Sequence, residues 1–85
     1  MSKSDKVVIT CALTGVLTDP AQHKVPVTAA EMAAAAEEAF NAGATVLHCH
    51  YRRQEPGMGR FPTWEADVVA EIDRAIRARV PQLLV

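Results

Sequence analysis

Apolar residues along this chain follow two rhythms, and the switches between them mark out its elements. Val7, Val8, Ile9, Cys11 and Ala12 crowd one short stretch with only Thr10 between them. A strand covered on both faces has this pattern, as in parallel α/β sheets, so a strand is predicted over Lys6–Ala12. Leu13-Thr14-Gly15 is a turn signal, and a loop through Asp19-Pro20 and Pro26 follows. The loop is longer than a plain connection needs, which fits either a functional loop or an ordinary surface excursion. Thr28 then opens a helix: Glu31, three residues on, completes a capping box, and Val27 and Met32 hold the hydrophobic-staple positions. The run Ala33–Ala36 continues the helix to Phe40, and Gly43 stops it. Met32, Ala36 and Phe40 form one stripe that can cover a sheet.

Period two returns at Ala44–Tyr51. His48 and His50 share one face with Val46 beneath them, while Leu47, Cys49 and Tyr51 face a covering helix on the other. After the loop Arg52–Pro62, Thr63 is expected to cap a second helix, with Glu65 and Asp67 at its positive end. Val68, Val69, Ile72, Ala75, Ile76 and Val80 recur at helical spacing. Arg74, Arg77 and Arg79 gather toward the negative end, and Pro81 ends the helix. Trp64 is expected to anchor this helix onto its neighbour. Gln82–Val85 opens a third apolar strand.

Strands alternating with helices imply parallel pairing, right-handed crossovers and both helices on one side of the sheet. The opposite face, which holds Val46 and the histidines, is then bare, and both sheet edges are unpaired. Closing the sheet on itself removes both problems. The fold class is therefore α/β, the βαβαβ opening segment of a TIM (β/α)8 barrel with parallel strands. Residues 1–85 make a single segment, the first part of one barrel domain, roughly a third of the ~250 residues such a barrel takes. The apolar ending at Val85 fits an incomplete barrel. A doubly wound sheet that begins the same way is the alternative.

Composition excludes several classes. At 49% hydrophobic residues the chain is no disordered segment. Nine basic residues against ten acidic ones, a net charge of −1, give no sign of a nucleic-acid or acidic-membrane partner. No apolar run reaches the length of a membrane span, and the amino terminus makes a poor signal peptide, so a cytoplasmic protein is expected. Cys11 and Cys49 are the only cysteines, and both fall in predicted strands. Free cysteine there is a small hydrophobe, and a disulfide between neighbouring strands is disfavoured in the cytosol.

The most specific chemistry is His48-Cys49-His50. Two neutral imidazoles on one face at the end of a strand are half of a metal site for Zn2+ or another divalent ion. The competing reading is one exposed histidine and one hydrogen-bonded in a core. A catalytic zinc keeps three protein ligands and an open position, so a third must come from elsewhere. His23 and Glu55 offer themselves weakly, each reading more simply as a solvated loop residue. Thr14, at the end of strand one, and Arg52, nearest the histidines, are the substrate-binding candidates. For Arg52, carboxylate recognition and a salt-bridged or solvated loop position stand level. Arg53 and Arg60 read first as solvated. Gly57-Met58-Gly59 lacks the third glycine of a dinucleotide loop, and no phosphate loop, serine elbow or catalytic triad is evident. The catalytic acid and base are not identified.

The stretches VVITCALTG, VPVTAAEMAAAAEEAFNAGATVLHCHYR and GRFPTWEADVVAEI resemble the amino-terminal part of the β-keto acid cleavage enzymes. The resemblance runs from Lys6 onward over nearly the whole chain, and the combination of pieces is more specific than any one. It implies a TIM-barrel enzyme, usually an oligomer, with a divalent metal, typically zinc, held by residues that match His48 and His50. It further implies a reaction in which a β-keto acid and acetyl-CoA give acetoacetate and a new CoA thioester. The family's remaining ligand, a glutamate, and its catalytic arginine and aspartate belong to later strands with no counterpart here. Where many members carry Arg-Asp after the histidine strand, this chain has Arg52-Arg53, losing a contact that an aspartate would make. Two other readings stand beside this one. The chain can be a non-catalytic α/β module that assembles with copies of itself around a vestigial metal site. It can also belong to another metal-dependent barrel; an amidohydrolase carries His-x-His on its first strand, whereas here a strand–helix unit comes before it.

Overall fold

The structure, a computed structural model, describes residues 7–15 and 18–85. Its elements run β1 (Thr10–Leu13), α1 (Ala29–Asn41), β2 (Val46–Cys49) and α2 (Ala66–Arg79). The predicted start of strand one at Lys6 and the amino-terminal residues weighed as a signal lie outside the described residues.

β1 and β2 pair in parallel, with Thr10 beside Val46, Cys11 beside Leu47, Ala12 beside His48 and Leu13 beside Cys49. That register divides the sheet into two chemically different faces. Cys11, Leu13, Leu47 and Cys49 turn toward the helices, where Leu13 and Leu47 join Met32, Ala36, Ile72, Ile76, Val80 and Leu83 in the buried core. Thr10, Ala12, Val46 and His48 turn the other way, where Thr10, Ala12 and His48 are exposed and Val46 half-buried. Both helices lie on one side, as the alternation of elements predicts.

α1 is closed at both ends by its own sequence. The Thr28 hydroxyl accepts from the Glu31 amide at 3.2 Å, while the Glu31 carboxylate accepts from the Thr28 and Val27 amides at 3.0 and 3.1 Å. These bonds satisfy amides that the first helical turn leaves without partners. At the other end Gly43 takes φ 118, a region costly for any residue with a Cβ. The Gly43 amide donates to Phe40 O and the Ala44 amide to Ala39 O, which makes a Schellman motif and delivers the chain straight into β2.

Four expectations need correction. Strand one begins at Thr10; Val7, Val8 and Ile9 are exposed, because nothing among the described residues covers their outer side. The third strand shrinks to one parallel bridge between Val46 and Leu84, made by Leu47 N–H to Leu84 O and Leu84 N–H to Thr45 O. It still lies on the far side of β2 from β1, but Leu84 is 68% exposed, with no strand beyond it among the described residues. The N-cap of α2 is Glu65, whose side chain makes no capping bond; the Thr63 hydroxyl sits two residues early and accepts the Glu65 amide. Trp64 anchors nothing: it lies on the extended lead-in to α2 and is 85% exposed. No helix among the described residues is long and apolar enough to cross a membrane.

Candidate functional site

β2 carries His48 near its carboxyl end and His50 just past it, and the alternation of side chains brings their rings together. The His48 and His50 ring centroids lie 4.8 Å apart in an edge-on arrangement. His48 is exposed and His50 half-buried. The His50 Nδ1 lies 3.1 Å from the backbone carbonyl of Leu13, the last residue of β1. A carbonyl can only accept, so Nδ1 carries the proton and donates it, which leaves the lone pair on Nε2. This is the support that metal-binding imidazoles commonly have: a fixed tautomer with a bare nitrogen on the far side. Two nitrogen donors on one face fit a divalent ion of the zinc type. Among the described residues, however, no third His, Cys, Asp or Glu joins them.

Beside His50 lies a cavity of about 380 Å3 lined by Gly15, Cys49, His50, Tyr51, Arg52, Pro62, Thr63 and Trp64. It draws on the ends of both strands and the segment entering α2. A larger groove of about 840 Å3 separates the loop at residues 19–27 from residues 53–60. His23 and Glu55 line that groove, which neither His48 nor His50 reaches. The structure therefore brings neither weak ligand candidate to the imidazole pair. Glu55 is instead bound by Arg53, whose guanidinium holds the carboxyl below its usual range.

Arg52 is the largest fully buried side chain among the described residues, 1% exposed. Among the described residues it faces no carboxylate. One terminal nitrogen donates to Thr18 O at 2.8 Å and Gly59 O at 2.9 Å, and the other donates to Gly15 O at 2.9 Å. Its Nε is buried without a partner among the described residues. The side chain thus binds the loop after β1 to the loop after β2. Gln54 strengthens the same junction by donating to Val27 O at 2.9 Å. Thr14 is likewise turned inward, its hydroxyl donating to Pro26 O at 2.8 Å with Met32 Sδ 3.3 Å away.

On the helix-facing side, Tyr51 donates its hydroxyl to Asp73 at 2.8 Å, and burial together with that bond raises its pKa. Burial, with Asp73 and Cys11 nearby, pushes the Cys49 thiol up to about 11. Cys11 and Cys49 are free cysteines. Cys49 is therefore a protonated thiol at neutral pH, between two imidazoles in sequence but facing the opposite way.

Sequence reasoning missed the Leu13 carbonyl, which it could not have found, because every residue carries the same backbone acceptor. The positions of Thr14 and Arg52 beside the histidines were legible, but their bonds to backbone carbonyls were not.

Against known proteins, the family model described as beta-keto acid cleavage enzyme matches residues 6–85. The chain is 40% identical over 80 residues to a 3-dehydrocarnitine:acetyl-CoA trimethylamine transferase of Rhizobium meliloti (strain 1021), a match covering 92% of this chain and 25% of that protein. It is 32% identical over 82 residues to a 3-keto-5-aminohexanoate cleavage enzyme of Fusobacterium nucleatum subsp. nucleatum, covering 95% of this chain and 29% of the relative. A 3-oxoadipate:acetyl-CoA acetyltransferase of Cupriavidus necator is 32% identical over 78 residues, covering 91% and 26%. The chain thus spans between a quarter and a third of the length of these curated relatives.

Proposed function

The chain belongs to the beta-keto acid cleavage enzyme family, and from that premise we propose that it forms the metal-holding opening of a TIM-barrel acyltransferase. The whole protein would transfer acyl groups between a β-keto acid and acetyl-CoA, giving acetoacetate and a CoA thioester. The names of the relatives support acetyl-CoA and β-keto acid chemistry. The observation that carries the metal reading is the imidazole pair itself: rings 4.8 Å apart, with the His50 tautomer fixed by Leu13 O.

In this reading His48 and His50 hold a divalent ion, Zn2+ by the nature of the donors. A bound ion of this kind supplies Lewis-acid polarisation of a keto oxygen. The residues of this chain do the rest of what can be assigned here. Leu13 O keeps the proton of His50 on Nδ1. Arg52 and Gln54 hold the two loops that frame the cavity. Pro62 and Trp64 give that cavity an apolar wall beside His50. Cys49 packs against the helix-side core and so faces away from the ion. A remaining protein ligand and the acid–base groups come from later strands. The bare face with Thr10, Ala12, Val46 and His48 then becomes part of the barrel interior, and Leu84 the start of strand three.

Zinc analysis of the purified protein and of its His48→Ala and His50→Ala variants tests this reading. Each variant is expected to lose the bound metal. Undiminished stoichiometry in both ends it.

A second reading draws on the exposed apolar residues at the sheet: Val8 at 74% and Leu84 at 68%. The chain would then bury its bare face against a copy of itself and carry only a partial metal site.

A further inference from the structure

The segment Leu13-Thr14-Gly15 has a geometry that its sequence disfavours. The Gly15 amide donates to Leu13 O at 2.9 Å, closing a three-residue turn around Thr14. Thr14 takes φ 75 in that turn. A hydrogen bond from residue i+2 back to residue i around a residue of positive φ is the rare, strained hand of the γ-turn. A β-branched residue in that region is an outlier, held there only when its surroundings fix it. Two side chains do so. The Thr14 hydroxyl is bonded to Pro26 O, across the loop that precedes α1. On the other side of the turn, the carbonyl of Gly15 accepts from the buried guanidinium of Arg52. The carbonyl that the turn aims is Leu13 O, the one that receives the Nδ1 proton of His50.

We propose that Thr14 and Arg52 are positioning residues for the metal pair: together they hold a strained γ-turn whose carbonyl fixes the tautomer of His50. The proposal rests on the metal reading above and gives that site its supporting shell. It accounts for three otherwise unrelated features: a threonine at positive φ, an arginine buried without a carboxylate partner, and a histidine bonded to the neighbouring strand's last carbonyl. Imidazole in water favours the proton on Nε2, which would present the wrong nitrogen to the ion. A carbonyl aimed at Nδ1 reverses that preference before any metal arrives. Gly15 itself has φ 75, and its neighbour Thr18 Oγ1 stands 3.4 Å from where a Cβ would be.

The test reads the tautomer directly, through long-range proton–nitrogen correlations of the 15N-labelled imidazoles in the metal-free chain under mildly alkaline conditions. A titration with Zn2+ alone follows on the same sample. His50 in the parent is expected to carry its proton on Nδ1. Thr14→Val keeps the branched shape and removes the hydroxyl; it is expected to admit the Nε2-protonated form and weaken zinc binding about tenfold, within the range usual for lost supporting contacts. Thr14→Ser, which retains the hydroxyl, restores both properties. Arg52→Lys, unable to reach three carbonyls, behaves as Thr14→Val does. A purely structural role for these residues would lower the melting temperature and leave the tautomer unchanged. The proposal is overturned if the parent carries the Nε2 proton. It is equally overturned if Thr14→Val and Arg52→Lys both keep the Nδ1 form with zinc affinity within twofold of the parent. A parent with the Nδ1 tautomer and tautomer-shifting variants but no zinc binding would sink the metal reading alone.

Discussion

At the scale of single residues, environment rather than identity decides what each side chain does. Arg52 and Arg53 are neighbours of one type with opposite fates. Arg53 is half-exposed and pairs with Glu55, an interaction that screening makes small. Arg52 is buried and bound to three carbonyls. Sequence alone left Arg52 level between a substrate contact and a loop position, because the carbonyls it meets come from residues 15, 18 and 59 and carry no side-chain signature. Cys49 illustrates the same dependence. With its thiol raised to about 11, it should hold about a hundredfold less thiolate near neutrality than a free cysteine. Alkylation of Cys49 by iodoacetamide at pH 8 is expected to be correspondingly slow and to climb steadily as pH approaches 11. A rate equal to that of an unstructured cysteine peptide would contradict the burial described for it.

At the scale of elements, α1 was legible nearly to the residue and α2 was not. Thr28, Glu31 and Gly43 each serve a local purpose that follows from their chemistry and spacing, so cap, box and stop appear where the sequence put them. Thr28→Ala is expected to cost about 1 kcal/mol in denaturant unfolding, the usual price of a lost N-cap. The amides that donate to Glu31 hold its carboxyl below the ordinary value of 4.5. A depressed folded pKa means that the contribution is fully present above the unfolded value. It is lost as pH falls below 4.5 and through the folded value. The melting temperature of the parent should therefore drop more steeply on that acid limb than that of Glu31→Gln. Parallel curves would contradict the capping box. For α2 the apolar spacing of Ile72, Ile76 and Val80 gave the buried stripe correctly, since all three are 3% exposed or less. Its start was misplaced because Thr63 bonds the Glu65 amide in a turn and not in a cap, a difference of backbone path that residue type does not encode. Ile76, fully buried, is the position whose truncation should matter most: Ile76→Ala is expected to cost about 2–5 kcal/mol, enough to unfold much of a domain this small.

At the scale of the whole molecule, the parallel α/β order was readable from the alternation of elements, and so was the sharing of one face by the histidines. What was not readable is how far pairing proceeds within this chain. Val7–Ile9 and Gln82–Val85 have strand composition, yet the first contributes only the Ile9 carbonyl, which accepts the Thr45 and Val46 amides, and the second only a bridge at Leu84, because a strand is stabilised by neighbours on both sides and these segments have at most one. The bare face with Val8, Val46 and Leu84 should make the isolated chain self-associate. Light scattering after size exclusion is expected to report more than one chain per particle, with Leu84→Lys shifting it toward monomer. A monodisperse monomer at high concentration would contradict that exposure.

The claim on which the functional account turns is that the imidazoles of His48 and His50 bind one divalent ion through nitrogen. X-ray absorption at the zinc edge of the zinc-loaded protein tests it most directly. The account predicts nitrogen scatterers at about 2.0–2.1 Å, together with the outer-shell pattern of two imidazole rings. A sulfur shell at about 2.3 Å, or the absence of imidazole scattering, would contradict it.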